Sequence, residues 1–161
     1  MKTIFEEATE RFWASVEDDE VLMGFIRARH GRLYKFTGAT SIPFDVTPTD
    51  CPALAVGPHR MPIQQATNRQ EDYRFVLAAD LRTAQESIWT AVNFWTLFGS
   101  VITGCRDSLW GLPYVVDLTV EDTTLACHNQ ENRGITWQVA CNVVLHIRRD
   151  ARIETLWAEA P

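Results

Sequence analysis

The sequence predicts an α+β domain in which helices pack on one face of a mainly antiparallel sheet of about four strands. Three patterns lead to this fold class: a capped amphipathic helix near the start, a long apolar helix in the middle, and strict polar–apolar alternation near the end. Because the strands alternate, one face of the sheet is covered and the other is at least partly polar. No repeat or linker divides the sequence, so residues 1–161 are expected to form a single domain.

The first helix is predicted from its cap and its spacing. Thr3 and Glu6 stand three residues apart, as a capping box requires, and apolar residues then recur at helical spacing as far as Val16. An acidic run at residues 17–20 breaks or caps this helix. A second short helical pattern ends at Gly31, where a glycine favours a left-handed C-cap.

Two long loops are predicted over residues 31–52 and 58–71, because prolines, glycines and small polar residues punctuate both segments. Loops of this length in a compact domain are uncommon and often functional. The short apolar run 53–57 between them predicts a strand. Clean alternation over residues 72–80 predicts the next strand.

The long helix is expected over residues 84–103, with Thr83 as its cap and Glu86 completing a capping box. It is apolar over so much of its circumference that more than one surface must cover it. A strand over residues 112–121 follows. Seven alternating apolar positions over residues 135–147 then predict the last strand, which is the strongest signal in the sequence.

Charge and composition exclude several classes. A net charge of −6 argues against a protein held on nucleic acid by phosphate contacts. The acidic, amphipathic start is unlike a signal peptide, and no run comes near the ~18 apolar residues of a membrane span. We therefore expect cytoplasmic synthesis, no membrane contact and four reduced cysteines.

A search for chemistry predicts no catalytic, cofactor or metal site. The spacing of Cys127, His128, Cys141 and His146 matches no standard zinc pattern. On a strand, Cys141 and His146 would also point to opposite faces. No nucleophile elbow or phosphate-binding loop occurs, and Cys105 has no local base signature. Paired carboxylates stand at predicted helix ends or turns, where caps and solvent account for them.

The remaining signal is a surplus of large aromatic residues, with six Trp in the chain. Such residues fill cores and are also enriched at interfaces. Trp89 and Trp95 of the long helix are assigned to the core. The residues assigned to an interface are Trp110, Arg148, Arg149 and Trp157, the last three in the C-terminal tail 148–161.

The order of these elements resembles the tail-terminator and tail-completion proteins of long-tailed bacteriophages, including the minor tail protein type. The resemblance covers most of the chain, apart from the tail 148–161. The stretches that carry it are the helical residues 5–29, the run Gly31-Arg32-Leu33-Tyr34, the proline-rich loop, the junction Cys51-Pro52-Ala53-Leu54, the long helix and the strand pair ending at 137–147.

The resemblance implies a virion protein without reaction chemistry. Such proteins form a ring, commonly a hexamer, that caps the tail tube and joins it to the head. The implied partners are other copies of the chain, the tail-tube protein and head connector proteins, with assembly in the host bacterial cytoplasm. DNA would pass through the lumen without specific binding, in keeping with the acidic charge. The ring interface would be heterologous, and the strand 133–148 and the long helix are candidates for it.

Three other hypotheses stay open. The first is a head-completion or connector subunit with a similar order of elements. The second is a small-ligand-binding or enzymatic domain that uses the gap between helices and sheet, which would need polar groups converging on the apolar faces. None appears in the 135–147 stripe. The third is a host-encoded adaptor.

Overall fold

The computed structural model describes residues 3–36, 48–58, 63–67, 70–84, 87–112, 114–130 and 134–148. Within these ranges the fold is α+β, as predicted, and its sheet has more strands than the four expected. The helices are α1 (Ile4–Asp18), α2 (Glu20–Ala28) and α3 (Ile88–Ser108). The strands are β1 (Arg32–Lys35), β2 (Ala53–Pro58), β3 (Ile63–Thr67), β4 (Gln70–Thr83), β5 (Val115–Gln130) and β6 (Gly134–Arg148).

The two N-terminal helices are both capped by acidic or hydroxyl side chains. The predicted capping box is present: Glu6 N donates to Thr3 Oγ1 at 3.2 Å, and Thr3 N donates to Glu6 Oε2 at 2.6 Å. Asp19 separates α1 from α2, and its Oδ1 accepts a hydrogen bond from Leu22 N at 2.8 Å. The acidic run therefore caps α2.

The end of α2 differs from the prediction. His30, rather than Gly31, adopts the left-handed conformation, with φ 56°. Gly31 is required for space, since a Cβ there would lie 2.1 Å from the carbonyl oxygen of Pro52. The chains approach this closely because Arg32 N donates to the same oxygen at 2.9 Å, where the pairing of β1 with β2 begins.

The strands form one six-stranded sheet in the order β1-β2-β4-β6-β5, with β3 paired to the start of β4. The β1–β2 pair is parallel and every other pair is antiparallel. The central strands β4 and β6 pair without interruption from Asp72 opposite Arg148 to Thr83 opposite Trp137. β5 forms one edge and β1 lies at the opposite end of the order.

Both segments predicted to be long loops contain strands. β1 lies within residues 31–52, and β3 with the start of β4 lies within residues 58–71. Short strands at the edge of a sheet do not need the apolar alternation that marks a half-buried strand, so composition alone suggested loops. That residues 1–161 form one domain stays a prediction, and residues 149–161 of the predicted tail lie outside the described ranges.

α3 begins later than predicted because β4 continues to Thr83, which pairs with Trp137 and does not cap a helix. Ser87 caps α3 instead, and its Oγ accepts a hydrogen bond from Trp89 N at 3.3 Å. Glu86, the other member of the predicted capping box, lies outside the described ranges.

The core lies between the three helices and one face of the sheet. Phe12 of α1 meets Phe98 of α3 edge to face at 6.4 Å between ring centroids, and Phe25 of α2 stacks on Phe94 of α3 at 5.1 Å. The apolar stripe predicted for the last strand faces these rings. Its buried members are Val139, Cys141, Val143, Leu145 and Ile147.

By length and composition alone, the helical segment Ile88–Gly111 could cross a membrane. The prediction that no segment comes near such a span was wrong in this respect. A line of buried residues on this segment, including Phe94 and Phe98, packs into the core, as on a core helix of a folded domain.

Candidate docking surface

α3 has no charged side chain between Ile88 and Cys105. Even so, the other described elements bury only one side of this helix. The buried side packs on the sheet and on the other two helices. Its residues are Ala91, Phe94, Phe98, Val101, Ile102 and Cys105. A helix face that stays in water normally carries charged residues, so an exposed face without any indicates contact with another surface.

The outer face of α3 consists of its exposed residues Trp89, Val92, Asn93, Thr96, Ser100 and Thr103. Trp89 is 70% exposed and Val92 is 37% exposed. The hydroxyls of Thr96, Ser100 and Thr103 donate to the carbonyl oxygens four residues earlier, at 2.8, 3.1 and 3.0 Å. Because these hydroxyls already have hydrogen-bond acceptors within the helix, burying them under another protein surface costs little desolvation free energy.

The edge strand β5 adds a second set of exposed apolar side chains. Val120 and Leu125, which are 38% and 49% exposed, pair with Val143 and Val139 of β6 and so lie on the helix-covered face of the sheet. Val116 of the same strand is 44% exposed. We call these three residues and the outer face of α3 the α3–β5 surface.

The exposed apolar residues are concentrated on this surface. Of the six large apolar residues that the described part of the chain exposes, five lie on α3 or β5, and only Val21 lies elsewhere, on α2. Single exposed apolar residues are ordinary, but a cluster on two neighbouring elements marks a docking surface. α3 and β5 also contact each other, so both sets lie on neighbouring elements of the fold.

The second face of the sheet carries polar side chains that bond to one another. Gln138 Nε2 donates to Asp80 Oδ2 at 2.6 Å, and His128 Nε2 lies 2.6 Å from Gln138 Oε1. Arg82 Nε donates to Asp80 Oδ1 at 3.0 Å. The charges on this part of the face are therefore largely paired within the subunit.

A hollow of about 400 Å³ lies on the same face, over β4 and β6. Its polar lining includes Asp80, Arg82 and Gln138, which bond to each other, and Asn142, whose Nδ2 donates to Asp122 Oδ2 at 3.1 Å. A ligand pocket needs polar groups that are free to orient its ligand. Here those groups are already engaged.

The described residues do not assemble a reactive centre. Within them, no three metal-ligating side chains lie close enough together to hold an ion. Burial raises the pKa of Cys51 to about 11 and that of Cys141 to about 12, and it also raises the pKa of Cys105. A raised pKa keeps a thiol protonated and unreactive. Cys127 on β5 is the one exposed cysteine.

Two of the four residues predicted to form an interface are described. Trp110 is half-buried and packs against the core, with its ring 6.3 Å from that of Phe12 between centroids. Arg148 is exposed at the end of β6. Arg149 and Trp157 lie outside the described ranges, so an interface that includes them stays a prediction.

Trp89, which the sequence pattern assigned to the core, is instead exposed on the outer face of α3. A signal was available, because Trp89 shares helical spacing with Thr96, Ser100 and Thr103 and therefore lies on their side of the helix. Trp95 does pack against the core, as predicted. The second half of β5 was missed altogether, because its exposed residues do not alternate between polar and apolar.

No family model matches the sequence, and no curated protein matches it either. Among solved structures, a matching chain belongs to a structure titled "Virion of native gene transfer agent (GTA) particle". The two chains superpose with a TM-score of 0.54 at 10% sequence identity. The match covers 86% of this chain and 92% of that chain. At this identity the likeness shows a shared fold.

Proposed function

We propose that this chain is a structural subunit of a phage-like virion, and specifically the ring-forming tail terminator that caps the tail tube and joins it to the head. The observation that carries the proposal is the fold shared with a chain of a gene transfer agent virion, which extends over most of both chains. A match of that extent involves nearly the whole fold rather than a common substructure. Because one fold can serve many functions, the surface must support the proposal as well.

The α3–β5 surface provides that support. Permanent interfaces between subunits are apolar and poor in charge at their centres. The outer face of α3 has this character, with Trp89 exposed and no charge over 18 residues from Ile88 to Cys105. Trp is also among the residues that most often dominate binding energy at interfaces. A subunit of a ring needs such a surface, whereas a monomeric protein does not.

The charge of the chain also suits a ring through which DNA passes. The formal net charge is −6, and on the second face of the sheet Arg74 pairs with Glu121 and Arg82 pairs with Asp80. Tight binding to DNA requires free Lys or Arg side chains that replace the counterions of the phosphates. We therefore expect DNA to move past this protein without being held.

The experiment that tests the proposal is the mass of the purified protein in solution, measured over a range of concentrations with and without the tail-tube protein. We expect closed rings, or caps on tube ends in negative stain. Six subunits of 18.3 kDa give about 110 kDa. A protein that stays monomeric and leaves the tube ends bare would refute the proposed function.

Two matched variants relate ring formation to the surface. Trp89→Arg puts a charge on the outer face of α3 and should weaken association at least 10-fold, because the charge would have to be desolvated in the interface. Val21→Arg changes a residue of similar exposure, 66%, on α2 and should leave association unchanged. Unchanged association of the Trp89→Arg variant would exclude this face of α3 from the interface.

A head-completion or connector subunit of the same particle is the second candidate, since the shared fold supports it equally. Its test uses the same purified protein, mixed separately with the tail-tube protein and with the head connector. Binding to the connector alone would favour this second role. A small-ligand-binding role is disfavoured, because the polar groups around the hollow on β4 and β6 are paired with each other.

A further inference from the structure

β5 is an edge strand, and its second half lacks the usual protection of an edge. In the sheet order, β6 pairs with β5 on one side, and no described strand pairs on the other. Backbone N–H and C=O groups along that free side can accept another strand. Proteins normally prevent such pairing with charges, prolines or β-bulges at the edge.

The protective features of β5 all lie in its first part. Register shifts occur between Val115 and Asp117 and between Glu121 and Thr124, and the acidic residues of the strand are Asp117, Glu121 and Asp122. Residues 123–129, in contrast, contain no charge, no proline and no glycine. From Thr124 onward this stretch pairs with β6 in regular register. It is therefore a straight, neutral strand that is open to pairing on its outer side.

The side chains of this stretch are also largely exposed. Leu125 is 49% exposed, and Thr124 and Cys127 are exposed as well. Neither the helices nor the rest of the sheet covers them. Regular backbone, exposed apolar side chains and absence of charge together are the properties of a site for β-strand addition.

The charges of the subunit indicate which strand of a second copy would pair with this stretch of β5. Two copies of a chain with net charge −6 repel each other, and an uncharged stretch lets them meet without bringing like charges together. The other end of the sheet, β1, carries the exposed Arg32, whereas Lys35 pairs with Glu17 of α1. Asp117 and Glu121 of β5 pair with Arg106 and Arg74 of their own subunit, whereas Asp122, next to the neutral stretch, is exposed. Pairing β1 along residues 123–129 brings the exposed Arg32 toward this carboxylate.

We propose that the stretch 123–129 of β5 pairs with β1 of a second copy, so that the sheet of one subunit continues into that of the next. This contact joins two different edges and is therefore heterologous, which allows it to repeat around a ring. A pairing of β5 with β5 would instead stop at two copies. The inference rests on the proposed ring-forming function and identifies the contact that builds the ring.

Cysteine crosslinking tests the contact directly, because Cys127 lies within the proposed interface and the other three cysteines are buried. Each β1 residue is replaced in turn by Cys, as Arg32→Cys, Leu33→Cys, Tyr34→Cys and Lys35→Cys, and the rings are oxidised mildly. A disulfide forms where the Cα atoms of two residues come within about 4.4–6.8 Å. We expect at least one variant to give a ladder of multimers up to the closed ring, and the same variant with Cys127→Ser to give none.

Two results would overturn the contact. One is the absence of a ladder from all four variants. The other is efficient disulfide-linked dimerisation of the unmodified protein through Cys127, which would show β5 paired with β5. Both results would bear on this contact and not on ring formation, because the mass and negative-stain measurements test ring formation separately.

A charge on the edge gives a second readout. Thr124→Lys and Leu125→Lys should each lower the association constant at least 10-fold, since a lysine on an edge strand blocks pairing, and Val21→Lys on α2 is the matched control. Unchanged thermal melting of the subunits would show that the variants fold. Intact rings in both β5 variants would refute the contact and leave the proposed function standing, whereas an unmodified protein that stays monomeric and leaves the tube ends bare would refute the function itself.

Discussion

Three glycines lie inside helices at positions where a side chain would meet nothing. Gly24 is in α2, and Gly99 and Gly104 are in α3. A Cβ added at any of the three would have no atom within 4 Å, apart from the two neighbouring residues and the nearby backbone of its own helix. Glycine inside a helix costs about 0.8–1.0 kcal/mol relative to alanine, because more backbone freedom is lost on folding. Each Gly→Ala replacement should therefore stabilise the isolated subunit by about 1 kcal/mol.

The two glycines of α3 should act independently. They are five residues apart, or roughly 7.5 Å along the helix axis, and share no contacts within 4 Å, so their effects should add. The double variant Gly99→Ala/Gly104→Ala should gain about 2 kcal/mol. For a chain of this length that corresponds to a rise in Tm of roughly 4–8 °C.

The assay is thermal and urea denaturation of the subunit followed by circular dichroism. Gly57→Ala is the contrasting variant, because its Cβ would lie 2.0 Å from the carbonyl oxygen of Phe36 and force the backbone to move. It should lose at least about 1 kcal/mol. A fall in Tm for Gly99→Ala or Gly104→Ala would refute the reasoning, since it would mean that α3 is closely covered within the subunit.

The remaining predictions concern the core, the first cap and the cysteines. Phe98→Ala should cost about 3–5 kcal/mol in urea denaturation, because its fully buried ring leaves a cavity, whereas Trp89→Ala should change subunit stability by less than about 0.5 kcal/mol. Thr3→Ala removes the capping box of α1 and should cost about 1 kcal/mol, seen as a lower urea midpoint at unchanged slope. Of the four thiols, Cys127 alone should react rapidly with a thiol reagent in the native protein; fast reaction of two or more would contradict the burial of the others. Burial raises the pKa of Cys141 from 9.0 to about 12, so ionisation favours the unfolded chain and stability should fall as pH rises from 9 toward 12. The variant Cys141→Ala should show a smaller fall over that range, and an unchanged profile would exclude this thiol as a cause.

Local signals were predicted well because they depend on residues close together in the chain. The capping box of Thr3 and Glu6 joins residues three apart, and the buried stripe of β6 follows from period-two alternation alone. The fold class followed from these elements and is confirmed. The start of α3 was predicted too early because Thr83 satisfies the composition of a cap, while its pairing with Trp137 keeps it in β4.

The docking surface was predicted only in part. The apolar circumference of the long helix indicated that a second surface must cover it, and the structure shows a face of α3 that is uncharged and exposed. The individual residues were not found, because exposure depends on which neighbours a helix packs against. Trp110 was chosen for an interface, yet it packs on Phe12 of α1, nearly a hundred residues away in sequence.

By itself, the sequence determined where most helices and strands form, which residues of α1 and β6 face a core, and that the chain carries no standard catalytic or metal-binding motif. These properties follow from local spacing and residue chemistry. Tertiary structure decided that β1 and β3 are strands, that β5 is an edge strand of the described sheet and that Trp89 is exposed. Each of these depends on pairing or packing between residues far apart in the chain, such as Arg32 beside Ala53. The free energy of such contacts exists only once the rest of the fold has brought the two segments together.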